Sequence, residues 1–272
     1  MSTTDVIFAG SIPELYDRYL GPLLFEPYAE DLAGRLGDLR AGRVLEIAAG
    51  TGIVTRALTR VLPSTVEIVA TDLNPAMLDR AATRLNAPNV TWRQADAQEL
   101  PFEEAEFDAV VCQFGVMFFP NKEASHRDVL HVLVPGGRYI FNVWGRMEDN
   151  EVSQTVSQAV AALFPDDPPR FFERTPHGYA DTDLIRRDLE VAGFERIEIE
   201  AVEKISRAAS AREAAIGLCQ GTPLRTEIEA RAPDRLDEVS AKAAEALSRQ
   251  FGASAIEARM NAYVVSAWSP RV

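Results

Sequence analysis

Five short apolar runs follow one another between residues 43 and 144: RVLEIAA (43–49), TVEIVATD (65–72), VTWRQAD (90–96), FDAVVCQFGVMFF (107–119) and RYIFNVW (138–144). Between them the apolar spacing changes from that of a strand to that of a helix. Ile53, Val54, Ala57, Leu58, Val61 and Leu62 share one helical face, and Met77, Leu78, Ala81, Ala82 and Leu85 share another. Asn74 followed by Pro75 is a favourable helix start, an N-cap oxygen before a residue whose missing N–H costs nothing there. A further helix is expected over residues 121–133, stopped by VPGG, because proline and glycine end helices and open turns. Strands that alternate with helices in this way form a parallel, doubly wound sheet. The alternation therefore predicts an α/β fold.

The flanks are less regular. Residues 1–40 read as a helical lead-in interrupted by Gly21-Pro22 and Pro27, and residues 41–145 as the core. Residues 146–272 complete the sheet and carry a helical cap in two insertions, 146–180 and 205–252, within one structural domain overall. FPDDPPRFFERTPHGY (164–179) reads as a loop or lid, and DTDLIRRDLEVAGF (181–194) as a helix capped by Asp181 or Thr182 and stopped by Gly193. ERIEIEAVEKI (195–205) and NAYVVSAW (261–268) add two strands, for seven in a mostly parallel sheet. Residues 210–251 read as wholly helical, with Leu236, Val239, Ala243, Leu247 and Phe251 on one face.

Charge narrows the partners. With 41 acidic and 28 basic residues among 272, the net charge is -13, and no basic run offsets it, so nucleic acid and anionic membranes are not expected. Cys112 and Cys219 stand far apart in no metal-ligand spacing, which predicts no metal site and a reducing compartment. The start, MSTTDVIFAGSIPELY, has only the short apolar run Val6 to Ala9. Neither a leader nor a membrane span is expected, and the location predicted is cytoplasmic.

RVLEIAAGTG holds the informative anomaly: Glu46 in an apolar strand, then Gly50 and Gly52. A strand that ends in Gly-x-Gly before a helix lets backbone approach a ligand closely. Dinucleotides and S-adenosylmethionine both use such a junction. The dinucleotide fingerprint wants a third glycine, where this chain has Thr55. A pyrophosphate would also be opposed by Glu46, whereas a cationic ammonium and sulfonium would be attracted by it. Asp72, at the end of the second strand, stands where an acid binds ribose hydroxyls. Asp96, at the end of the third, is placed to accept from an adenine amino group.

These segments resemble the class I S-adenosylmethionine-dependent methyltransferases of small-molecule, methyltransferase type 11-like kind. VLEIAAGTG resembles their first motif, ATDLNPAML the ribose motif, QADAQELPF the adenine motif, FDAVVCQFGVMFF the fourth strand and VLVPGGRYIF the approach to the fifth. The resemblance runs from about residue 40 to 145 and implies S-adenosyl-L-methionine as cofactor, S-adenosyl-L-homocysteine as product and a Rossmann-like sheet. It implies that Glu46, Ala48, Gly50 and Gly52 surround the methionine moiety. Asp72 would clamp the ribose beside Leu73 and Met77. Asp96, Ala97 and Gln98 would read the adenine. Gln113 and Phe114 would sit near the methyl donor, with Tyr16 and Tyr19 closing the pocket. Ala48 departs from the family pattern, where many members have glycine.

The expected reaction is methyl transfer by in-line displacement to a small-molecule acceptor, in a monomer or homodimer. Two alternatives are a catalytically silent S-adenosylmethionine-binding protein and an NAD(P)-dependent oxidoreductase. Asp167-Pro168-Pro169 lies too far downstream, and before Arg170, to be the motif of base-methylating enzymes. His126 and His131 are expected on a helix surface, which leaves His177 as the weak candidate for a general base. Phe118, Phe119, Trp144, Phe171, Phe172 and Tyr179 are candidate linings of an apolar acceptor pocket.

Overall fold

The computed structural model describes residues 12–252 and 254–271. The run Val6 to Ala9, and the reading of the first residues built on it, lie outside them. Two compact units divide the chain. A sheet-bearing unit takes Tyr28–Val143, Tyr179–Val202 and the described residues from Ala262 onward; a helical unit takes the described residues up to Pro27, Trp144–Gly178 and those of Glu203–Asn261.

Seven strands form one sheet: β1 (Gly42–Glu46), β2 (Val66–Asp72), β3 (Val90–Gln94), β4 (Phe107–Gln113), β5 (Leu133–Trp144), β6 (Glu195–Ala208) and β7 (Ile256–Trp268), in the order β3-β2-β1-β4-β5-β7-β6. The pairs β3-β2, β2-β1, β1-β4 and β4-β5 are parallel. β7 runs against β5, since Gly136 N–H meets Pro270 O while Ser269 N–H meets Gly137 O. Val44, Leu45, Ile68, Ala70, Ala109, Val110 and Val111 are buried, because strands covered on both faces need apolar residues at every position. β3, at the sheet edge, has no fully buried residue.

Helices α1 (Ile12–Leu15) and α2 (Glu26–Gly34) are joined through wide π turns over Tyr16–Phe25. Gly21-Pro22 and Pro27 were expected to interrupt this lead-in. The helix instead runs on, because a π turn reaches one residue further back: Glu26 N–H bonds Gly21 O. The sheet unit then carries α3 (Ile53–Val61), α4 (Pro75–Arg84) and α5 (Lys122–Val132). Asn74 caps α4 through its side chain, with Pro75 at the first position. Ala82 departs from the expected apolar face and is exposed. VPGG does not open a turn after α5, for β5 begins at Leu133 and runs through it with an irregular register between Phe107 and Ala109.

The helical unit holds α6 (Glu151–Ala161), inside the insertion read as a helical cap but with bounds that the sequence reading did not mark, and the short α7 (Phe171–Arg174). In the sheet unit, α8 (Thr182–Ala192) is capped by Asp181 and stopped by Gly193 at φ 103°. The stretch read as wholly helical holds three helices with breaks between them: α9 (Ala211–Gln220), α10 (Leu224–Arg231) and α11 (Leu236–Phe251). Pro223 and Pro233 stand at the two breaks, where a missing N–H ends the ladder. Each piece still buries its own face, Leu218 on α9, Ile228 on α10, and Val239, Ala243 and Leu247 on α11.

Candidate functional site at the strand tips

Four adjacent parallel strands end at one edge, and each delivers a polar side chain there: Glu46 closes β1, Asp72 closes β2, Asp96 lies two residues beyond β3, and Gln113 closes β4. β1 lies between β2 and β4, so the chain reverses its winding there. Open α/β sheets bind ligands at the carboxyl ends of strands beside such a point. The turn after β1 takes the left-handed conformation at Ala48, Gly50 and Gly52, with φ of 54°, 55° and 74°. Ala48 accepts that backbone despite its methyl group, which faces Gly115; a Cβ at Gly115 would come within 2.7 Å of it. At Gly52 a Cβ would meet the Trp92 ring at 2.8 Å, whereas at Gly50 it would meet nothing within 4 Å. The turn is packed at one glycine and open at the other.

Glu46 is 1% exposed. Its carboxylate accepts one hydrogen bond, from Thr55 Oγ1 at 2.6 Å, and no cation forms an ion pair with it among the described residues. Burial pushes its carboxyl up to about 8; the Thr55 hydrogen bond and Arg56 oppose this, and Asp72 adds to it. A buried carboxylate with one neutral donor from the protein is costly to hold in its charged form. Beside it, burial also raises the Cys112 thiol to about 12.

Asp72 is in a different state. Its Oδ2 accepts from Gly50 N–H and its Oδ1 from Asn74 N–H, both at 2.8 Å. Burial raises its pKa and these two bonds work the other way. The residue expected to clamp a ribose thus also ties the glycine turn to the tip of β2, with lone pairs to spare on each oxygen. Leu73 beside it is 54% exposed, while Met77 is buried. Asp96 Oδ1 accepts from Gln98 N–H at 2.9 Å, and Gln98 Oε1 from Asn121 N–H at 3.0 Å. Ala97, between them, is buried.

At the exit of β4, Phe114 has φ 50° and packs edge-on against Tyr28, ring centroids 5.3 Å apart. Its N–H bonds both the main-chain oxygen and Oδ1 of Asn142, a residue of β5 that pairs in register with Gln113. Sequence reasoning missed two residues here. Asn142 carried no motif to betray it. Thr55 counted only as an absent glycine, although a buried hydroxyl one turn into α3, nine positions after a buried acid, was a usable signal.

The remaining candidates are divided between the two units. Tyr16 stacks on Phe25 at 4.7 Å, and the Arg18 guanidinium lies over the Tyr19 ring at 5.0 Å. His177 Nδ1 is 2.8 Å from Gly145 O, which assigns its proton there and leaves Nε2 as the basic atom; burial lowers its pKa. Trp144, Phe171 and Phe172 are buried in this unit, as Phe119 and Tyr179 are in the sheet unit, while Phe118 is half-buried. His126 corrects its expectation: it is not on the surface but fully buried, its ring 5.7 Å from both Tyr139 and Phe141. α5 has few apolar residues, and Ser125 and His126 serve on its inner face with Val129 and Val132. His131 is exposed.

Comparison with known proteins gives concordant findings. The family described as a methyltransferase domain matches residues 44–137. Over 176 residues the chain is 31% identical to the ubiquinone/menaquinone biosynthesis C-methyltransferase UbiE of Pseudomonas aeruginosa (strain LESB58), covering 60% of this chain and 69% of that protein. Among solved structures it is similar in fold to Haemonchus contortus phosphoethanolamine N-methyltransferase 2 in complex with S-adenosyl-L-methionine, at 17% identity and TM-score 0.64 over 99% of this chain and 60% of the other. The YcgJ protein of Bacillus subtilis aligns at 18% identity and TM-score 0.58, over 90% of this chain and all of the other.

Proposed function

This chain belongs to the class I S-adenosylmethionine-dependent methyltransferases, and we propose that its acceptor is a small molecule with an apolar part. We assign the cofactor residues by the same reasoning: Glu46 and the turn through Ala48, Gly50 and Gly52 for the amino-acid end, Asp72 with Leu73 and Met77 for the ribose side, and Asp96, Ala97 and Gln98 for the purine. The single observation that carries this orientation is the Glu46 carboxylate, buried with one neutral hydrogen-bond donor. Once ionised, such a group pairs with a cation, and it would oppose a pyrophosphate in the same place. The open space at Gly50 leaves room beside it, so the residues present fit the cofactor.

S-adenosylmethionine, when bound, supplies a methyl group whose leaving group is a neutral thioether. The chain's share is therefore orientation and exclusion of water rather than activation. Asp72 holds Gly50 in place through its Oδ2, and Asn142 fixes the Phe114 backbone at the β4 tip. Phe114 and Phe119, both buried, give that exit an apolar character suited to an apolar acceptor. The UbiE relatives, named for C-methylation in ubiquinone/menaquinone biosynthesis, support a small molecule over a macromolecule, as does the acidic surface.

Transfer of labelled methyl to a panel of phenols, amines, thiols and aromatic carbon nucleophiles, alongside tRNA and a protein lysate, tests this reading. Turnover on at least one apolar small molecule is expected. Label found in the macromolecules alone would overturn it.

A further inference from the structure

Thr55 gives the Glu46 carboxylate its only hydrogen bond among the described residues, across 2.6 Å and with both side chains buried. The geometry is that of a carboxyl held ready rather than satisfied. Thr55 sits in the first turn of α3, and its hydroxyl fixes Oε2. The Glu46 main-chain oxygen is held separately by Thr71 Oγ1 at 2.9 Å. The charged and titratable groups that face Glu46 are Asp72 from β2, Arg56 from α3 and Cys112 from β4. Asp72 disfavours a second negative charge, Cys112 is a neutral thiol, and Arg56 directs Nη1 to Thr51 O at 2.8 Å. Within this set the ionised form of Glu46 is left undercompensated.

We propose that Glu46 is a neutral acid in the free protein, that it gives up its proton to solvent when the ammonium of the donor's amino-acid end arrives, and that Thr55 is the positioning residue that holds the resulting carboxylate. The inference rests on the assignment of Glu46 to that end of the cofactor. The step is a proton transfer alone: the O–H bond of the carboxyl breaks, water or buffer takes the proton, and the carboxylate stays paired with the ammonium. The raised Glu46 value, about 8, agrees with a neutral acid at pH 7, and an adjoining cation reverses that shift. Donor binding would then tighten as pH rises from 6 to 8. A site with a carboxylate already ionised would show no such slope.

The experiment is calorimetric titration of the whole protein with S-adenosylhomocysteine at pH 7, in buffers of low and high ionisation heat. This ligand keeps the ammonium and lacks the sulfonium charge, so it isolates the amino-acid end. Release of a large fraction of a proton per ligand is expected. Glu46→Gln should abolish the release and weaken binding at least tenfold. Thr55→Val should weaken binding severalfold and alter the pH profile, and Thr55→Ser should restore both. Wild-type binding whose heat does not depend on the buffer would overturn the proposal and leave the methyltransferase reading intact. Unchanged release in Glu46→Gln would place the proton on another group and overturn it equally. Absence of any S-adenosylhomocysteine binding would sink the underlying assignment as well.

Discussion

The tips of β1 and β2 lie side by side and carry the same chemistry, a carboxylate at the last residue of a parallel strand, yet the protein treats them differently. At β2 the two Asp72 oxygens take backbone N–H groups from both flanking loops. At β1 Glu46 takes one hydroxyl and is sealed from water. The first acid is largely satisfied by its own chain and acts as a structural tie with spare acceptor capacity. The second has a single neutral donor, and the proposal gives it the ligand's ammonium as the partner of its ionised form. A site can be read from such an imbalance: the group that the fold leaves short is the one that the ligand completes.

The largest test of that contrast is stability against pH in the ligand-free protein. Glu46 is raised in the fold, to about 8 from the ordinary 4.5 of a glutamate. The folded state therefore holds its proton where the unfolded chain has lost it, and stability falls as pH climbs from about 4.5 to 8. Glu46→Gln removes that penalty. Urea unfolding should find the variant more stable at pH 8, by on the order of 4 kcal/mol, with the difference gone near pH 4. No gain at pH 8 would mean that Glu46 is not the undercompensated partner of the pair.

Asp72→Ala should behave in the opposite sense. Calorimetry should show S-adenosylhomocysteine binding weakened by about 2 to 3 kcal/mol, from the lost acceptors and the loosened Gly50. Unchanged affinity would reduce Asp72 to a purely internal tie. The turn between the tips comes next. Gly52→Ala forces a Cβ against the Trp92 ring at a left-handed residue, and thermal unfolding should report a loss of about 2 kcal/mol. Smallest is Ala48→Gly, where removal of a methyl from φ 54° should stabilise the fold by roughly 0.5 to 1 kcal/mol. A loss instead would show that the contact with Gly115 outweighs the backbone strain.

Much of this was legible in sequence. Strand-helix alternation pointed to the parallel sheet because its central strands are buried on both faces and read as apolar runs, and the Asn74-Pro75 and Gly193 signals marked the start of α4 and the end of α8. Glu46 stood out because an acid has no ordinary place in such a run. What escaped notice depended on distant partners. The Thr55 hydroxyl mattered only once α3 folded back over β1, and Asn142 only once β5 paired with β4. His126 looked like a surface residue because α5 lacks a clear apolar stripe. The breaks inside 210–251 fall at Pro223 and Pro233, which the wholly helical reading passed over. The bounds of α6, within the expected helical cap, were not legible because its inner face includes Ser153, Thr155 and Ser157, which read as polar.

Diffraction from crystals grown with S-adenosylhomocysteine tests the central claim most directly. The account predicts the ligand's amino-acid end at the β1 tip beside Glu46, with its ribose hydroxyls turned to Asp72. A ligand lying in the reverse sense, with the purine against Glu46, would contradict it.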